Sequence, residues 1–65
     1  MTANQYRVAI SRLGLTQHGA ARLWGVSPRT GQSYAAHGPP EPVARLLRFL
    51  LAAKITPDEF DRLAN

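Results

Sequence analysis

Helix caps and helix stops, more than hydrophobicity, limit what this chain can fold into. Thr2, Thr16, Ser27 and Thr56 stand where N-caps are needed. Gly14, Gly25 and the Gly38-Pro39-Pro40 run stand where a helix must end. No segment between these marks alternates polar and apolar residues with Gly-rich hairpin turns, so no strand is expected. The spacing predicts an all-α chain of five short helices in one domain over residues 1–65.

The first helix is expected over about Ala3–Leu13, with a Thr2/Gln5 capping box and an apolar stripe of Tyr6, Ala9, Ile10 and Leu13. The second, about Gln17–Trp24, is capped by Thr16 and buries Ala20, Ala21, Leu23 and Trp24. Gly25 ends it cheaply in a left-handed turn, and Val26 plugs the corner. The third, about Pro28–Ala36, has Ser27 as its cap and Pro28 in its first turn, where a missing N–H costs nothing. The fourth runs from about Pro42 to Lys54 on a stripe of Val43, Leu46, Leu47 and Leu50. A fifth opens on Thr56, Pro57 and Glu59, a full capping box, with Phe60 and Leu63 as anchors.

The third helix is the odd one. Tyr34 and Ala35 can face inward, but Arg29, Thr30, Gln32 and Ser33 form no core stripe. A helix that buries so little suits contact with something outside the fold. Charge suggests what. The net charge is +4, and residues 1–40 hold Arg7, Arg12, Arg22 and Arg29 with no acid at all. Glu41, Asp58, Glu59 and Asp61 all lie later, against Arg45, Arg48, Lys54 and Arg62. A one-sided basic field attracts a polyanion, although many small domains are mildly basic without binding one.

Two short helices meeting at a Gly-containing turn form a helix-turn-helix unit. "LTQ" before the second helix, Ala21, "GVS" at the turn and Thr30 resemble the phage Cro and lambda-repressor-like, or Xre-type, family. The resemblance covers about Leu13–Leu50. It implies a five-helix DNA-binding domain whose third helix enters the major groove. It further implies base contacts from Pro28, Arg29, Gln32 and Ser33, and phosphate contacts from Gln17, Ser27 and Thr30. Arg22 is a further candidate for the phosphates. The family usually has Ile or Val where Gly31 stands and Leu where Ala20 stands. Gly31 is therefore expected to leave a space that Trp24 fills. The family often has Glu where Ala35 stands, which leaves the end of the third helix open.

Each candidate has a plainer reading. Arg29 suits guanine O6 and N7, but a solvated or phosphate-bound arginine would look the same. Gln32 and Ser33 suit adenine edges or water, or plain exposure. Arg7 and Arg12 read as helix surface. Phe49, Leu51, Ile55, Phe60 and Leu63 exceed what one small core needs. They suit a homodimer interface, or packing of the fifth helix over the first.

The expected function is a cytoplasmic transcriptional regulator, nucleoid-associated when bound to DNA. It is read as a bacterial or phage repressor that binds palindromic operators as a homodimer. The competing reading is a protein-interaction module of antitoxin or adaptor type working through the last two helices. Membrane-surface binding by the fourth helix, with Arg45 and Arg48 opposite its leucines, is a weaker competitor. No enzyme activity, cofactor, metal or small-molecule substrate is expected. His18 and His37 lack metal-ligand spacing, and the chain has no cysteine and no nucleophile motif. The N-terminus lacks a basic stretch followed by an apolar run, so no secretory signal is expected.

Overall fold

The computed structural model describes residues 1–65. Five helices follow one another: α1 (Ala3–Arg12), α2 (Gln17–Trp24), α3 (Pro28–His37), α4 (Glu41–Ala52) and α5 (Pro57–Ala64), and there are no strands. The expected bounds differ only at helix ends. α3 reaches one residue further, to His37, and α4 starts at Glu41 and stops at Ala52.

The caps explain why the elements fall where they do. Thr2 and Thr56 each close a capping box, with Gln5 and Glu59 respectively. The Thr16 and Ser27 hydroxyls accept from the Gly19 and Thr30 N–H groups. Three helices end in the same six-to-one and five-to-two hydrogen-bond pair, the Schellman arrangement. Leu15 N donates to Ile10 O at 2.9 Å, Val26 N to Ala21 O at 3.0 Å and Ile55 N to Leu50 O at 3.0 Å. Each needs a left-handed residue just past the helix. Gly14 (φ 75°) and Gly25 (φ 76°) supply two of them, and Lys54 (φ 57°) supplies the third against its own preference.

The core is small and built largely of small residues. Tyr6, Ala9, Ile10, Ala20, Ala35 and Leu47 form its centre, with Met1, Leu13, Leu15, Trp24, Tyr34, Val43 and Leu51 packed around it. Ala21, Ala44 and Leu50 are also buried. Of the α4 stripe, Leu47 and Leu50 are buried, Val43 packs against the core and Leu46 is half-buried. No helix is long and apolar enough to cross a membrane.

One expectation is overturned. Gly31 leaves no space for Trp24 to fill. A Cβ placed there would stand 2.6 Å from the Ala21 Cβ, so α2 and α3 already touch through their smallest side chains. Gly31 and Ala35 are the buried residues of α3. Trp24 turns the other way. Its Nε1–H donates to the Tyr6 hydroxyl at 3.0 Å, and its ring meets Phe60 edge-on at a centroid distance of 6.4 Å. Phe60 thereby seats α5 against α2, where packing over α1 was the plainer expectation. No residue of α5 is buried.

Tyr6 is fully buried, with Tyr34 edge-on to it at 6.1 Å. Burial pushes its hydroxyl above the usual phenol range; the Trp24 hydrogen bond pulls it back and Tyr34 adds a smaller upward push. A raised acid keeps its proton in the folded state. The associated stability is complete below pH about 10 and is lost as pH rises through the folded value. Tyr6→Phe should cost about 1 kcal/mol at pH 7, because the Trp24 N–H loses its acceptor. It should also flatten the alkaline loss of stability, measured by urea unfolding at pH 7 and above pH 10. Lys54→Gly should raise the unfolding free energy by roughly 1 kcal/mol. For a domain of this size that is a rise of about 4–8 °C in Tm by calorimetry.

Candidate nucleic-acid interface

The helix pair α2–α3 is built around the Gly25-Val26-Ser27 turn. Gly25 takes the left-handed conformation, and Val26 is half-buried at the corner. Ser27 then does two things: its Oγ accepts from Thr30 N at 3.1 Å, and its hydroxyl donates to Thr30 Oγ1 at 3.0 Å. Both hydroxyls are therefore engaged with each other at the start of α3, and Thr30 is half-buried. They remain able to accept or donate outward, since each oxygen has further hydrogen-bonding capacity.

The sequence-predicted base-reading residues share the outside of this helix. Pro28, Arg29, Gln32 and Ser33 are all exposed, while Gly31 and Ala35 on the opposite side are buried. Arg29, Gln32 and Ser33 have no hydrogen bond or ion pair from their side chains to the rest of the chain, so nothing inside the molecule holds those donors. Gln17 is exposed at the first position of α2, where the positive helix end favours an anion.

Arg22 sits in a different setting. It lines a shallow cleft between α2 and α5 together with Gly19, Leu23, Pro57, Asp58 and Asp61. Two carboxylates of α5 thus share its surroundings, and its attraction for a phosphate is partly offset. The sequence had no signal for this, because 36 positions separate Arg22 from Asp58.

Two further residues were read differently from the sequence. Arg7 is not plain helix surface. Its guanidinium donates to the main-chain carbonyl of Ala35, tying α1 to the last turn of α3. An arginine at such a place caps an otherwise unpaired helix carbonyl and complements the negative helix end. Arg48 pairs with Glu41 at 3.0 Å across the exposed side of α4, the one ion pair in the molecule. That contact holds the Glu41 carboxyl below its usual range, first through the hydrogen bond and then through the arginine's charge. In α5 the hydrogen bonds from Thr56 hold Glu59 down likewise, the backbone N–H foremost.

The four residues assigned to a dimer interface do not behave alike. Leu51 packs against the core, Phe60 meets Trp24, and Ile55 lines a cleft with Leu13, Leu50 and Leu51. Phe49 stays 58% exposed, and Leu63, the other surplus apolar residue, 81%. No group of three or more His, Cys, Asp or Glu side chains is placed to hold a metal ion. Comparison with family models, curated proteins and solved structures yields no match for this chain.

Proposed function

We propose that the chain is a sequence-specific DNA-binding transcriptional regulator of the Xre type, acting as a repressor on palindromic operator DNA as a homodimer. The observation that carries this reading is the outer face of α3. Pro28, Arg29, Gln32 and Ser33 are exposed together on a helix whose fully buried residues are only Gly31 and Ala35, with Tyr34 half-buried beside them. A helix seated by its backbone and bearing free donors outward suits insertion into the major groove. Gln17, Ser27 and Thr30 grip the phosphates in this reading, helped by helix N-termini, with Arg22 contributing less because of Asp58 and Asp61. The mechanism is binding without chemistry, in the cytoplasm, and occupancy of the operator blocks transcription.

The domain measures 27 × 22 × 20 Å. One copy covers less than the roughly 34 Å of a DNA turn, so a palindrome calls for two copies. Exposed Phe49 and Leu63 are the parts of the apolar surplus that a partner can still cover. The same two residues favour the second reading, an antitoxin- or adaptor-type module that binds another protein through α4 and α5.

Selection from a randomised duplex pool at near-physiological salt should enrich a palindrome with half-sites about one helical turn apart. Arg29→Ala should then cost about 1–3 kcal/mol and relax one base position. Equal losses on every duplex would move Arg29 to the phosphates. No retained duplex would overturn the DNA-binding reading and leave the protein-interaction reading in its place.

A further inference from the structure

We infer that the Gly31–Ala21 contact and the Arg7 tether set which base sequence α3 accepts, although none of these residues touches DNA. This rests on the DNA-binding reading. Two observations carry it. α3 is seated against α2 with almost no side chain between them, since a Cβ on Gly31 would stand 2.6 Å from the Ala21 Cβ. Carbon atoms rest about 3.5–4.0 Å apart, so a methyl group there must part the two helices by about 1 Å. The other end of α3 is held separately, by the Arg7 guanidinium on the Ala35 carbonyl.

The two anchors bracket Gln32 and Ser33 along the chain, and Pro28 and Arg29 lie just before the first of them. Arg29 precedes Gly31 by two positions, and Gln32 and Ser33 fall between Gly31 and Ala35. A shift at Gly31 is therefore a shift of the reading face itself. Hydrogen bonds to base edges survive only within about 2.7–3.2 Å, so a displacement of about 1 Å removes them. Phosphate contacts from long or rotating groups follow such a shift far more easily. The expected signature is loss of discrimination with the electrostatic part of binding intact.

The same distances supply a compensating variant. A Cβ at position 31 meets the Gln17 carbonyl at 3.4 Å and the Ala21 Cα at 3.5 Å, both ordinary contacts. Moving the methyl group from α2 to α3, as Ala21→Gly with Gly31→Ala, keeps the seat filled and removes the clash.

The test compares binding to the selected duplex with binding to a scrambled duplex of equal length, over a range of salt concentrations, for four proteins. These are the wild type, Gly31→Ala, the Ala21→Gly/Gly31→Ala pair and Arg7→Met, each checked for helix content by circular dichroism. Gly31→Ala should lower the ratio of the two affinities by about tenfold or more. Its salt dependence should stay unchanged, because the substitution alters no charged residue. The swapped pair should return to within about threefold of wild type. Arg7→Met should lower the ratio too, and it carries the test if Gly31→Ala alone does not fold. An unchanged ratio in the folded variants overturns the inference while leaving DNA binding in place. So does a Gly31→Ala loss that the swapped pair fails to repair. A wild type that enriches no duplex overturns both the inference and the reading beneath it.

Discussion

The near-contact of two helix backbones at Gly31 and Ala21 is the constraint on which the rest of this structure depends. A domain of 65 residues has few ways to bury enough surface. Large side chains between helices would do it, but they would have to come from α3 as well. Here α3 buries only Gly31 and Ala35 fully, with Tyr34 half-buried against Tyr6. Ala21 on α2 meets Gly31 directly, so burial at this seam comes from close approach and not from volume. That arrangement frees the face of α3 that carries Pro28, Arg29, Gln32 and Ser33. A poor core helix by composition is thus a well-seated one by geometry.

Close approach leaves gaps at the periphery, and polar groups manage them. The Tyr6 hydroxyl lies inside the core and accepts from the Trp24 N–H, so the two aromatic side chains meet without leaving the hydroxyl oxygen or the indole nitrogen partnerless. Trp24 also receives Phe60, which makes it the joint between the four-helix body and α5. Since α5 buries no residue of its own, this aromatic edge and the capping box at Thr56 are what give the last helix its place. Local opening should therefore begin at α5 and proceed inward.

The helices were legible because their ends were. Thr2, Thr16, Ser27 and Thr56, with Gly14 and Gly25, mark boundaries by local hydrogen bonding, which needs no tertiary context. The exposed face of α3 was legible for the same reason, as a break in apolar periodicity. What escaped were the relations between distant residues. Gly31 reads as a weakness in a helix until Ala21 is placed beside it. Arg7 reads as one surface charge among several until the end of α3 is brought to it. Lys54 gives no hint of a left-handed backbone, because the Schellman turn that demands it is anchored by Leu50 and Ile55. The apolar residues of α4 and α5 read as surplus from the sequence are so only in part, since Leu51 and Phe60 are used inside the chain.

The placement of charge has a consequence of its own. Three of the four carboxylates are on α5, and the fourth is paired with Arg48. The arginines of α1, α2 and α3 have no ion-pair partner. The molecule is therefore a permanent electric dipole as well as a net cation, with its negative pole at the C-terminal helix. In the field of any polyanion such a body experiences a torque, which turns α5 away before the surfaces meet. Orientation is then partly settled during diffusion, over a distance that shrinks with the Debye length as salt is added.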